Sequence, residues 1–506
     1  MTTRIGVAAP NRAATDAALA VGALGGGAVD AAVAAMLVAM VNEPGVVSLD
    51  AGAFVTVWPA GSHTEAVTVD GCVAMPGLSR SSDAGPLDVR EVSTGYGGGV
   101  TMTVGLGSVA TPGALAALDL AQRTYGQLPW RDVVAPAETV ARKGFSLSSA
   151  AGYYLPYVRD SVFAWDEQTA ATLRGRDGAW LQTGDQIVID GLADTIALIA
   201  EKGAQTLYDG ELAATIIADM ADRGGSLTRA DLSSYRPVVR PALAFRSGDW
   251  QLRTNPPPAI GGPVLAAMLT LLGDRPRGLW TPEDVAYLVD VQRTVLDYRR
   301  NELDTAADRQ AAAQALLAGL GGGQRSPSTV HVSAVDALGA ACAVTASSGY
   351  GSGATVPGTG LWLNNCLGEH ELNRGEALRA GERLASNMAP TVGRAGDGSV
   401  LAIGTPGADR ITTALTQVLA AFTTGGSALQ EAIDRPRLHV HHLDDGGLPL
   451  QVEAEADMPL PELDLPVRRH EAHSMYFGGV AAAHLSASGA LTAAGDPRRA
   501  GAVAVG

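Results

Sequence analysis

The stretch from Ala28 to Val41, "AVDAAVAAMLVAMV", is apolar on nearly every face of a helix. A surface helix keeps one polar side, so this one must be covered all round by other elements. Its uninterrupted apolar run, Ala31 to Val41, is too short to cross a bilayer and stops at Asn42-Glu43-Pro44. The chain is therefore expected to fold in packed layers, with this helix buried between them.

Composition fits that expectation. The chain has 506 residues, 46% hydrophobic and 17% charged, which suits a compact globule and argues against disorder. A formal net charge of −16 disfavours nucleic acid or an anionic membrane as partner. Cys72, Cys342 and Cys366 cannot all pair, and none sits in a metal-ligand spacing. With no basic segment leading an apolar core in "MTTRIGVAAPNRAATDAALA", a reduced, cytoplasmic location is expected.

The patterning is mixed. A helix is predicted from Ala13 to Leu24, capped by Asn11 and ended by Gly25-Gly26-Gly27. "AFVTVWP" and "TEAVTVDG" alternate as a hairpin, and Gly113 to Thr228 is mostly helical in period. Asn301 to Leu320 is Ala-rich and helical, then gives way to "GGGQRSPS". From Thr329 the alternation is that of strands: "TVHVSAVD", a turn at Ala337-Leu338-Gly339, then "AACAVTAS". "SVLAIGTPG", "PLQVEAE" and "GGVAAAHLS" are further strand candidates, and "ITTALTQVLAAFTTGG" is a long helix. No repeat or linker divides the chain, so one α/β domain is expected, with helices covering sheet on both sides.

Several blocks, in order, resemble the γ-glutamyltranspeptidase family of N-terminal nucleophile hydrolases. They are "GGGAVDAAVAA", "NEPGVVSLDAGAF", "GSVATPGALAAL", "YGQLPWRDVVAPAETVARKGF", "STVHVSAVD", "GTGLWLNN", "SNMAPT" and "GTPGADR". The resemblance implies a four-layer αββα sandwich, made as a precursor and self-cleaved between Ser328 and Thr329. Residues 1–328 and 329–506 would then be two fragments of one domain, a heterodimer acting on a small-molecule acyl substrate without cofactor or metal. A threonine hydroxyl is a weak nucleophile and needs a base. A new N-terminus at Thr329 supplies one, because an α-amino group has a pKa of about 7.7–8.0.

Other roles follow from the resemblance one position at a time. Ser347 falls where the family has a threonine touching the nucleophile's hydroxyl. Gly407 and Ala408 fall on the glycine pair whose backbone N–H groups form the oxyanion hole. Ser386 and Asn387 fall on paired serines that hold the substrate carboxylate, and Glu369 on an aspartate that binds its α-amino group.

The departures concern substrate. Cys72 stands where the family has its carboxylate-binding arginine, and a thiol cannot replace a guanidinium clamp. Arg80 and Arg90 are the candidates to reach in from the following loop. Cys366 replaces a polar pocket residue, "SSGYGSG" is shorter than the family's loop and lacks its asparagine, and "PPPAIGG" lacks its serines. Ordinary glutathione is therefore not the expected substrate. Two alternatives stay open: a biosynthetic enzyme of the same family that cleaves a carbon–carbon bond in 4-alkyl-proline formation, in secondary metabolism, and an unprocessed, non-catalytic binding protein. His439, His441 and His442 in "RLHVHHLDD" raise a metal site, but packing is the expected role. Cys342 and Cys366 lack a His/Asp constellation for a catalytic thiol, and "GYGGGV" and "GYGSGATVPGTG" read as loops rather than nucleotide-binding turns.

Overall fold

The structure is a computed structural model that describes residues 2–61, 63–81, 83–96, 99–304, 306, 308–319, 329–370, 372, 378–442 and 450–506. The apolar stretch forms the helix Ala28–Asn42, in which every residue is buried. Before it runs the helix Arg12–Ala23, where Asn11 Oδ1 accepts from Ala14 N–H at 3.0 Å as the sequence predicts for an N-cap. Asp30 ties the buried helix down by accepting from Gly27 N–H, Gln127 N–H and Gln122 Nε2.

Two sheets form the core. The first, of seven strands, runs in the order Ala502–Val505, Ile5–Ala9, Val330–Asp336, Ala341–Ser347, Gly52–Trp58, Val67–Gly71, Val238–Pro241, antiparallel throughout. The second, of six, runs Leu491–Gly495, Ala481–Leu485, Val400–Gly404, Thr391–Ala395, Trp250–Thr254, Leu243–Ser247, again antiparallel. Each sheet mixes strands from before and after Thr329. The terminal strands and those at Leu243–Ser247, Trp250–Thr254 and Thr391–Ala395 are not singled out by sequence pattern.

The strand Val330–Asp336 is buried on both faces. Val330, Val332 and Ala334 join the core beneath the helices, whereas Val335 joins a smaller cluster with Ala402 and Ala483 of the second sheet. Strand alternation therefore turns positions 331, 333 and 335 toward the second sheet. The helices Gly261–Leu272 and Arg410–Thr423 share a separate core with that sheet. No described helix is long and apolar enough to cross a membrane.

The predicted hairpin after Thr329 is present, its turn closed by Gly339 at φ 86°. Asp336 is the reason it sits where it does. Its Oδ1 accepts from Leu338 and Ala340 N–H, each at 3.0 Å, while Oδ2 accepts from Ala28 N–H at 3.0 Å. One carboxylate thus closes the turn and fixes the N-terminus of the buried helix against it.

Candidate active site

Thr329 directly precedes the strand Val330–Asp336 and is 2% exposed. The other polar residues of its motif are accounted for by structure. His331 lies between the sheets, with Nδ1 2.8 Å from Thr345 Oγ1 and Nε2 2.8 Å from Ser333 Oγ. Burial lowers its pKa to about 3, so the ring is neutral. Ser333 Oγ donates to Ala481 C=O at 3.0 Å, linking the two sheets. A Cβ at Gly404 would overlap the His331 ring, which explains a glycine inside that strand.

Thr329 lines a small cavity of about 30 Å³. Seven of the other residues expected at the site line the same cavity: Ser347, Ala408, Glu369, Ser386, Asn387, Cys72 and Cys366. Gly407 is set one residue behind, where a Cβ would come within 2.8 Å of Gly478 Cα. Ser328 lies outside the described residues.

Local bonding explains how these side chains converge. Ser347 ends the second strand of the hairpin and its Oγ accepts from Gly349 N–H at 3.2 Å. Gly349 has φ 65°, and a Cβ there would overlap Asn365 and Glu369. Asn364 is a residue that sequence reading quotes without a role. Its Nδ2 donates to Asp50 Oδ2 and to the carbonyls of Asp50 and Ala110, while its Oδ1 accepts from Ala110 and Cys366 N–H. It thereby joins three segments behind the cavity wall. Asp50 is fully buried, and desolvation raises its pKa to about 7.

Ser386 carries the opposite wall. Its C=O accepts from Ile260 and Gly261 N–H, and Asn255 Nδ2 donates to Met388 C=O at 2.8 Å. Asn387 is 3% exposed, and neither Nδ2 nor Oδ1 has a hydrogen-bond partner among the described residues. An unpartnered buried amide at a cavity wall is costly unless something entering the cavity satisfies it. The apolar contributors Val73, Leu372, Leu384, Met388 and Ile411 are not signalled by any motif.

Ala408 holds φ 64°, the left-handed region that glycine takes without strain and alanine does not. The loop is fixed by the next residue. Asp409 accepts from Arg410 Nη1 at 2.6 Å and lies 3.1 Å from His439 Nε2, and these charges hold its carboxyl well below the usual range despite burial. Asp409, His439 and His441 bring donor atoms within 4.8 Å of one another. His439 has its second nitrogen 3.2 Å from Thr413 Oγ1, so both ring nitrogens are engaged by protein. His442 pairs with Asp297 at 3.1 Å.

Neither arginine expected to replace the missing clamp enters the cavity. Arg80 donates to Gly85 C=O in an exposed loop. Arg90 pairs with Asp88 at 2.6 Å and stacks over Trp165. Arg383 approaches Cys72 but is spent on the Cys72 and Arg236 carbonyls and the Tyr235 hydroxyl. Among the described residues no Lys or Arg lines the cavity, and Glu369 is the one acidic side chain on its lining.

A family model described as Gamma-glutamyltranspeptidase matches residues 14–320 and 291–506. The glutathione hydrolase proenzyme of Pseudomonas sp. (strain A14) is 29% identical over 377 residues, 67% of this chain and 65% of that protein, so the match spans less than two thirds of it. The acylase ACY 1 proenzyme of Pseudomonas sp. (strain V22) is 29% identical over 456 residues, 82% of this chain and 78% of that one. In fold, the chain is similar to the crystal structure of cephalosporin acylase from Bacillus halodurans, with TM-score 0.76, 23% identity, and coverage of 99% and 96%. Fold and relatives together define the class as N-terminal nucleophile hydrolases. Within it, the chain belongs to the γ-glutamyltranspeptidase family.

Proposed function

We propose that this chain is a self-processing acyl-transferring hydrolase with Thr329 as nucleophile. Residues 1–328 and 329–506 then form a heterodimer in one αββα sandwich. One observation carries the reading: residues from Cys72 to Ala408, far apart in sequence, line a single cavity with Thr329. In processing, Thr329 Oγ attacks the Ser328 carbonyl carbon, the C–N bond breaks, and water opens the resulting ester. The released α-amine then takes the hydroxyl proton as Oγ attacks substrate. Ser347 supports that hydroxyl, and the N–H groups of Gly407 and Ala408 receive the negative charge that develops on the carbonyl oxygen. Water or an amine accepts the acyl group.

The cavity supports a substrate unlike a γ-glutamyl group. An α-carboxylate would meet Glu369 with no cation among the described lining residues to offset it. Burial raises the Cys72 thiol to about 12 and Cys366 well above its ordinary value, so both present neutral S–H groups. A neutral or amine-bearing acyl group, with a polar atom for the Asn387 amide, suits this lining. Mass spectrometry of the peptide beginning at Thr329, after incubation with γ-glutamyl and with neutral acyl p-nitroanilides, tests the reading. Adducts from the neutral donors alone are expected, and a γ-glutamyl adduct alone would refute it.

A further inference from the structure

Three buried polar side chains meet directly behind the loop that carries Gly407 and Ala408. Asp409 ends that loop as the N-cap of the helix Arg410–Thr423, and His439 and His441 come from the strand Leu438–His442. Strand alternation puts His439 and His441 on one face, while His442 turns to the other and pairs with Asp297. One donor atom from each of Asp409, His439 and His441 lies within 4.8 Å of the other two.

The hydrogen bonds around His439 set its tautomer. Thr413 Oγ1 has one hydrogen and donates it to Arg410 C=O at 3.2 Å. The same oxygen, 3.2 Å from His439 Nδ1, therefore accepts from the ring, which puts the proton of a neutral imidazole on Nδ1. The lone pair of Nε2 then faces Asp409 Oδ2, 3.1 Å away. A lone pair against a carboxylate is repulsive unless something positive lies between them. A second ring proton satisfies those two atoms but gives no reason for His441 to converge on them. A divalent ion engages all three.

The dimensions suit zinc. Bonds of about 2.0–2.2 Å in a tetrahedron set neighbouring ligand atoms roughly 3.3 Å apart, and the Asp409–His439 pair stands at 3.1 Å. The outer contacts are of the kind that orient ligands. Thr413 holds Nδ1 of His439, and Arg410 Nη1 holds the other oxygen of Asp409 at 2.6 Å. Glu453, buried and opposite His439 in the strand register, adds a second carboxylate on the same face, which with Asp409 offsets the charge of the ion.

We propose that Asp409, His439 and His441 bind a structural zinc ion, Asp409 through Oδ2 and His439 through Nε2. The ion ties the loop after Val400–Gly404 and the start of the helix Arg410–Thr423 to the strand Leu438–His442, and so fixes the backbone that holds Ala408 left-handed. The packing role expected of these histidines is then exerted through a metal. None of the three lines the cavity beside Thr329, and the site does not depend on Thr329 as nucleophile.

The test uses the full chain without an affinity tag, stripped with a chelator and titrated with zinc sulfate. One equivalent of zinc per chain is expected to bind and to raise the melting temperature. Cobalt(II) in its place should give the visible absorption of a tetrahedral ion with nitrogen and oxygen donors, without a thiolate charge-transfer band. His441→Gln should weaken zinc at least ~10-fold and lose the rise in melting temperature, while His63→Ala, at an exposed position, keeps both. No stoichiometric uptake by the wild type overturns the site. Uptake that His441→Gln leaves unchanged does so too, and marks an adventitious ion only. Should His441→Gln fail to fold, the wild-type cobalt spectrum decides, and an octahedral or thiolate spectrum refutes the assignment.

Discussion

The Cys72 thiol donates to Leu384 C=O at 3.5 Å in the wall of the cavity beside Thr329. Burial raises this thiol to about 12, and Cys342 and Cys366 are raised as well. Thiolate is the reactive form, so at pH 8 Cys72 should react with iodoacetamide roughly 10³-fold more slowly than a free cysteine. Unfolding in guanidinium should restore ordinary rates at all three sites. Rapid labelling of the folded protein at Cys72 would contradict the neutral, closed wall.

Asn387 separates stability from activity. Neither of its amide atoms has a partner among the described residues, so Asn387→Ala loses no hydrogen bond to them. Its unfolding free energy should stay within about 0.5 kcal/mol of wild type while kcat/KM falls at least ~10-fold. A large loss of stability with activity retained would assign the amide to packing.

Asp50 makes stability depend on pH. Its folded pKa is raised from 3.8 to about 7, so the folded chain keeps a proton that the unfolded chain has lost. Its stabilising contribution is complete at low pH and is lost as pH rises through that window, following the linkage of proton binding to folding. Glu43, raised from 4.5 to about 7, acts in the same sense, and His331, lowered from 6.5 to about 3, acts in the opposite one. Asp50→Asn keeps an acceptor for Asn364 and places NH₂ where Oδ1 has no partner. Melting temperatures should therefore show Asp50→Asn gaining on wild type from pH 5 to pH 7. A constant difference would contradict the buried proton.

Backbone geometry at the oxyanion loop gives a paired result. Ala408→Gly relieves a left-handed alanine and should stabilise by about 0.5–1 kcal/mol, after the greater chain entropy of glycine is set against it. Gly407→Ala puts a Cβ at φ 137° and within 2.8 Å of Gly478 Cα. Acylation by the variant should slow at least ~10-fold, because the N–H groups move off the oxygen they serve. Equilibrium unfolding reads Ala408→Gly, stopped-flow measurement of p-nitroaniline release reads Gly407→Ala, and unchanged rates in Gly407→Ala would contradict the assignment.

Much of the fold was legible because its elements are strongly periodic. The buried helix Ala28–Asn42, the hairpin after Thr329 and the helix Arg410–Thr423 each match the sequence pattern. The edge and second-sheet strands were not, because their pairing is settled by partners hundreds of residues away, as in Ile5–Ala9 against Val330–Asp336. Glu369 and Ser386, picked out by their position in ordered blocks, both line the cavity beside Thr329. The contacts of Asn364 and Asp409 were not legible, since they are made by three-dimensional neighbours. Arg80 and Arg90 show the converse: sequence proximity to Cys72 suggested a reach that local partners Gly85 and Asp88 forestall.

Processing at Thr329 is the central claim, and intact-mass spectrometry of the purified chain tests it most directly. Wild type should separate under denaturing conditions into two polypeptides, the smaller beginning at Thr329, while Thr329→Ala remains a single chain of 506 residues. A wild-type protein that stays whole after prolonged incubation, or that splits equally well as Thr329→Ala, would contradict the account.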